Sequence, residues 1–149
     1  MFLWRISNHT ALEGGGGLRA SGRWHTRGRR VVYCAPNPAA ALLEVLTHAE
    51  IDLEDIPVTF RYIEIEAPDS TSAGAADIGT LGPEWKNDLA ATRRLGDQWL
   101  RSGRSALLRV PSVVVPETWN VLINPLHPDS ASIRFVRVHN QAVDARLLR

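Results

Sequence analysis

The chain is poor in nearly everything that marks a metalloprotein, a secreted scaffold or a membrane protein. It has one cysteine, Cys34, in 149 residues. A lone thiol builds neither a disulfide framework nor a cysteine-rich zinc site. Within the apolar run Val31-Val32-Tyr33-Cys34 it reads as a small buried hydrophobe. Lysine is equally scarce: Lys86 is the only one, so the basic side is arginine. The formal net charge of +1 is too near neutral for bulk electrostatic binding of nucleic acid, although Arg27, Arg29 and Arg30 form a local basic knot. No stretch approaches the ~20 apolar residues of a membrane-spanning helix. The first residues lack the basic start and apolar run of a signal peptide. HExxH, CxxC, GxSxG and Walker-type patterns are all missing, and His9, His25, His48, His127 and His139 are dispersed without metal-site spacing. The expectation is a single cytoplasmic domain whose chemistry needs no metal.

What is present is ordinary globular composition, 44% hydrophobic and 22% charged, enough to bury a core without cross-links. Met1 to Ile6 reads as a first strand with Arg5 inside it. Arg5 is either the solvent-facing member of the alternation or a cation that reaches an anionic ligand at the sheet edge. The four glycines between Glu13 and Leu18 predict a flexible loop. Val58 to Glu66 alternates as a strand with a register change near Tyr62-Ile63. Ala67 to Gly82 is an irregular link, and Asp88 to Ser102 is an amphipathic helix that Gly96 weakens and Gly103 ends. Ala106 to Val115 predicts a strand ending in Pro111-Ser112 and continuing into more apolar residues, three valines. Trp119 to Pro125 and Ile133 to Val138 are two more strands. Asn120 and Asn124 are turn-fixing candidates, because Asn side chains bond nearby backbone.

The richest stretch is Ser21 to Glu44, SGRWHTRGRRVVYCAPNPAAALLE. Gly22-Arg23-Trp24-His25 sits in a loop that no apolar periodicity explains. A short strand follows at Val31–Cys34, then Asn37-Pro38 starts a helix running from Pro38 to about Glu50, with Asn as N-cap and Pro at the first helical position. Loop, strand and capped helix can converge Arg23, Tyr33 and Glu44 on one site. Arginine and tyrosine together suit an anionic, planar ligand, since guanidinium forks match phosphate oxygens and rings stack on rings. Ser112, between Pro111 and three valines, is a hydroxyl where packing would place something apolar. It is either satisfied by nearby backbone or part of that site.

Trp4-Arg5, Gly22-Arg23-Trp24-His25, Val31-Val32-Tyr33, Ala41-Leu42-Leu43-Glu44, Val110-Pro111-Ser112 and Asn120-Val121-Leu122-Ile123-Asn124-Pro125 together resemble the RES domain, in order and across nearly the whole chain, residues 1–149. The resemblance implies an α+β fold similar to diphtheria-toxin-type ADP-ribosyltransferases, with mixed or antiparallel sheets and flanking helices. It implies a toxin of a bacterial toxin–antitoxin pair that consumes NAD as substrate. Carried over, Arg23, Tyr33, Glu44 and Ser112 are the catalytic set, and Arg5, Arg23, His25, Tyr33 and Asn124 the NAD-binding set. An Xre-type antitoxin would block the pocket, and a homodimer within a larger complex is compatible with the pattern. Neither a membrane nor direct nucleic-acid binding is implied.

Cleaving the nicotinamide–ribose bond passes through an oxocarbenium-like cation, as glycoside cleavage does. Water, phosphate or a protein side chain could capture it, and the sequence leaves that open, as it does the division of labour between Arg5 and Arg23. Two other readings stand beside the enzyme: a catalytically silent RES-like module that binds NAD or a partner, and an RNA-directed toxin using the Arg27–Arg30 knot.

Overall fold

The computed structural model describes residues 1–48 and 58–148. In chain order these form β1 (Phe2–Ile6), α1 (Gly15–Arg19), β2 (Val32–Cys34), α2 (Pro38–His48), β3 (Thr59–Glu66), β4 (Ala73–Ala75), α3 (Leu89–Ser102), β5 (Leu107–Pro111), β6 (Trp119–Ile123) and β7 (Arg134–Ala142). The part of the expected helix beyond His48 lies outside the described residues.

The strands make two sheets, β1-β3-β7 and β2-β6-β5-β4, antiparallel except for the β4–β5 pair. They meet where Trp4 and Ala35 exchange backbone hydrogen bonds of 2.9 and 2.7 Å. Between the sheets lies one core: Leu3, Ile63 and Ile65 from the first face Val32, Cys34, Leu107, Val121 and Ile123 from the second. The opposite face of the second sheet is also covered. Leu108, Val110 and Leu122 pack there with Trp24, Trp85 and Trp99, beneath α3 and the Gly22–Arg30 loop. Burial on both faces explains the adjacent apolar residues Leu107-Leu108 in β5 and Val121-Leu122-Ile123 in β6.

Several expectations are corrected. The glycine run forms the short helix α1 instead of a loop. Its first and last glycines answer to their surroundings: a Cβ on Gly17 would strike the Arg29 carbonyl, and Gly14 turns the chain at φ 73°. The register shift in β3 falls at Glu64/Ile65, two residues beyond the expected place. What changes at Tyr62-Ile63 is the face, with Tyr62 on the outer side of the first sheet and Ile63 in the inter-sheet core. The Ala67–Gly82 link contains β4, paired through Gly74↔Leu108. β5 ends at Pro111, where the sequence places the end of that strand, and the three valines lie in the turn before β6.

The two helices that bear on the site are capped as their sequences predict. Asn37 Oδ1 accepts from Ala40 N at 2.8 Å, and Asp88 Oδ1 accepts from Ala91 N at 3.0 Å. Gly103 ends α3 in the left-handed region at φ 61°. Gly96 is where α3 meets the Gly22–Arg30 loop, since a Cβ there would run into the Trp24 carbonyl. The next residue, Asp97, holds the loop directly. Its carboxylate accepts from Thr26 N at 2.9 Å and Thr26 Oγ1 at 2.7 Å, and pairs with Arg29 Nε at 3.2 Å. Among the described residues no helix is long and apolar enough to cross a membrane.

Candidate active site

The loop that carries Arg23 is laid across the helix-covered face of the second sheet, and Tyr33 is its anchor. Alternation along β2 sends Val32 and Cys34 into the inter-sheet core and turns Tyr33 the other way. Its hydroxyl accepts from Trp24 N at 3.0 Å and meets His25 Nδ1 at 2.7 Å. His25 Nε2 faces the Gly17 carbonyl at 3.3 Å. Burial pushes the His25 pKa down and holds the Tyr33 phenol protonated well above its usual range. In the neutral imidazole that burial favours, Nε2 carries the hydrogen, because a carbonyl only accepts, and Nδ1 accepts from the Tyr33 hydroxyl. Gly22 makes room for the pair: a Cβ there would collide with the Tyr33 hydroxyl.

A pH dependence follows from the buried ring. An ordinary imidazole titrates near 6.5. As the pH falls through that value the unfolded chain protonates His25 while the folded chain does not. The unfolded state then binds more protons, so stability declines on acidification. Thermal melts between about pH 7 and pH 5 are expected to show a falling Tm that is flatter in His25→Gln. Equal slopes in the two proteins would contradict a neutral, buried His25.

Arg23 projects from this anchored loop. Its Nη1 donates to the Lys86 carbonyl at 2.9 Å, and its own carbonyl accepts from Thr92 Oγ1 at 2.7 Å. Backbone on either side is therefore fixed before any ligand arrives. A second arginine lies behind it. Arg93 Nε donates to the Gly22 carbonyl at 2.8 Å, and its charge acts on both His25 and Tyr33.

Glu44 reaches the site from α2. The helix begins after a three-residue link from β2, and Glu44 lies six residues beyond Pro38, about 9 Å along the axis at ~1.5 Å per residue. Its Oε1 accepts from Ser112 Oγ at 2.5 Å and from Asn120 Nδ2 at 3.0 Å. Ser112 Oγ itself accepts from Val114 N and Val115 N, each at 3.2 Å. With both lone pairs engaged, the hydroxyl proton must point at Glu44, and the short contact is that of a charge-assisted hydrogen bond. Ser112 is 2% exposed. Backbone N–H groups thus satisfy the hydroxyl oxygen, and the hydroxyl proton goes to Glu44.

Asn120 stands opposite Val110, and Tyr33 opposite Leu122. Asn120 and Leu122 are two apart on β6, so Asn120 shares the helix-covered face with Tyr33. It is a diagonal neighbour at roughly 7–8 Å between backbone positions. Arg23, Tyr33, Glu44, Ser112 and Asn120 thus belong to one end of that face.

Other expected residues are placed elsewhere. His25 is 2% exposed, its Nδ1 against the Tyr33 hydroxyl. Arg5 comes from the first sheet, on the same side of β1 as Leu3. It donates to Ser7 Oγ at 3.3 Å, and its charge acts on Cys34. Asn124, 3% exposed, lies beyond the other end of β6. Its Nδ2 donates to the Leu100 carbonyl at 3.3 Å and its Oδ1 accepts from Leu126 N at 3.1 Å, so both ends of the amide serve the fold. The asparagine at the glutamate is Asn120, which a turn-fixing role had claimed. Strand alternation was the signal, since Asn120 falls in phase with buried Leu122. An open depression of about 320 Å³ on the outer face of the first sheet, lined by Trp4, Pro38, Ala39, Tyr62, His139 and Gln141, includes none of the candidate residues.

Comparison with known proteins places this geometry in a family. The RES domain profile matches residues 2–146. The Toxin Res of Pseudomonas putida is 48% identical over 147 residues, covering 99% of each chain. The Prs ADP-ribosylating toxin of Sphingobium sp. is 38% identical over 156 residues, covering 98% of this chain and 96% of that one. Among solved structures, the M. tuberculosis MbcT–MbcA toxin–antitoxin complex superposes with a TM-score of 0.70 over 99% of this chain and 86% of that one. At 18% identity that likeness speaks for the α+β fold. The chain belongs to the RES domain family.

Proposed function

We propose that this chain is an NAD-consuming toxin that cleaves the nicotinamide–ribosyl bond and is held in check by an antitoxin protein. The observation that carries the reading is the Glu44 carboxylate, held through Oε1 by Ser112 and Asn120 and set beside the face that presents Tyr33 and Arg23. Breaking the bond leaves positive charge on the ribosyl carbon. A preorganised carboxylate stabilises that charge without having to reorganise at the moment of reaction. Glu44 also accepts from a ribose hydroxyl. Tyr33 offers its ring to the nicotinamide or ribose. Arg23 binds the pyrophosphate through charge-assisted bonds. Ser112 acts through Glu44.

The nicotinamide leaves with the bonding electron pair, and an acceptor oxygen or other nucleophile takes the ribosyl carbon and gives up its proton. Water gives ADP-ribose, phosphate gives a phosphorylated ADP-ribose, and a protein side chain gives a modified protein. The name of the Sphingobium relative, an ADP-ribosylating toxin, favours transfer to a protein as the second reading after hydrolysis or phosphorolysis. For the partner, support comes from a fold neighbour solved with its antitoxin. A segment of such a protein lying over Arg23 and Glu44 would compete with NAD directly.

The test is to incubate the purified chain with NAD labelled in its adenosine half. Separate reactions contain buffer alone, phosphate, or a cell extract. Label moving into ADP-ribose, its phosphate ester or protein names the acceptor. Intact NAD in all three, from folded protein, would sink the proposal.

A further inference from the structure

We propose that Asn120 is a positioning residue for Glu44, kept in the strand for the reaction and against the interest of the fold. Its Nδ2 donates to Glu44 Oε1 at 3.0 Å. The reverse amide orientation would set two acceptors face to face, so the donor assignment is chemically forced. The other end of the amide is the telling part. Asn120 Oδ1 is buried and has no hydrogen-bond partner among the described residues. A buried acceptor left unpaired is destabilising, and native structures keep few of them. Strand position and neighbours offer no folding reason for an amide. The cross-strand partner on this face is Val110, and the next residue along the face is the fully buried Leu122. An aliphatic side chain would suit that environment and the strand better. What an aliphatic residue cannot do is hold the carboxylate.

Two donors from two segments, Ser112 after β5 and Asn120 on β6, converge on one oxygen of Glu44. The second donor adds a constraint on the plane of the carboxylate and on its place beside the Tyr33 face. Misplacement by about 1 Å is enough to cost on the order of 100-fold in rate. Asn120 touches the glutamate and not the reacting atoms, so its removal is expected to lower kcat while leaving KM for NAD nearly unchanged.

The inference rests on the reading of Glu44 above, and the experiment separates the two. Asn120→Leu and Asn120→Asp are compared with wild type for nicotinamide release, thermal stability and growth arrest on induction in bacteria. Asn120→Leu is expected to keep or raise the Tm, because the orphaned acceptor is gone. Its kcat is expected to fall by roughly 10- to 100-fold. Asn120→Asp, which keeps the shape but faces a carboxylate with a carboxylate, is expected to lose at least as much. Adding Asn120→Leu to Glu44→Gln is expected to lower turnover no further, since the two act as a unit. Wild-type kcat in Asn120→Leu overturns the proposal. So does a drop in Tm with loss of folded protein, which would make the amide structural. If wild type arrests growth without consuming NAD, the substrate reading falls. The comparison is then made on growth: arrest by folded Asn120→Leu overturns the proposal, and relief supports it.

Discussion

Glu44→Gln is expected to fold like wild type and to release nicotinamide at least ~100-fold more slowly, on the order of 3 kcal/mol in the barrier. The amide oxygen of glutamine can take the place of Oε1 and still accept from Ser112 Oγ and Asn120 Nδ2. These two hydrogen bonds therefore survive, and the negative charge disappears. If the carboxylate works by stabilising a developing cation, its charge is the part that matters, and a preorganised charge in a site of reduced polarity is a large contributor to rate. Glu44→Ala is a poorer probe, because it strands the Ser112 hydroxyl proton and an Asn120 N–H, and so mixes a folding defect with a chemical one. Side-by-side melts and initial rates for Glu44→Gln would show an unchanged Tm with a collapsed rate. A rate within a few-fold of wild type would remove Glu44 from the chemistry.

Gly96→Ala is expected to have the opposite sign from the one helix propensity gives. In an open helix interior, alanine in place of glycine stabilises by roughly 1 kcal/mol. Here the new methyl is driven into the Trp24 carbonyl. That oxygen belongs to a loop held on both sides, by Tyr33 at Trp24 N and by Asp97 at Thr26, so it cannot simply move away. Overpacking a fixed backbone contact costs about 1–3 kcal/mol and sometimes more. In a chain of this size the upper figure corresponds to a fall of about 6–12 °C in Tm. Turnover should fall with it, because the displaced loop carries Arg23. Calorimetry or a thermal melt checks the sign, and a Tm at or above wild type would show that α3 and the loop are not in contact as described.

Much of the fold is legible in the sequence where local chemistry decides the outcome. Asn37-Pro38 starts α2 because a cap and a fixed φ act within one turn. Asp88 and Gly103 bound α3 for similarly local reasons. The glycine run between Glu13 and Leu18 is not legible in that way. Gly14 and Gly17 answer to the Arg29 carbonyl, His25 and Val31, which arrive from later in the chain. Gly96 is the same lesson within a helix: it weakens α3 locally and is required by Trp24. At the site, the ordered motifs bring Arg23, Tyr33, Glu44 and Ser112 into view. They do not reveal that Ser112 serves Glu44, because that depends on which strand ends beside α2. Asn120 and Asn124 show the limit most clearly. Four residues apart on one short segment, they look interchangeable, and only the pairing of β6 with β5 and β2 sends one to the glutamate and the other to backbone.

The measurement that tests the central claim most directly is the initial rate of nicotinamide release from NAD by the purified, antitoxin-free chain, run beside Glu44→Gln of matched Tm. The account predicts steady release by wild type and a rate lower by at least ~100-fold in the variant. Equal rates in the two proteins, or no release from folded wild type in buffer, phosphate or extract, would contradict it.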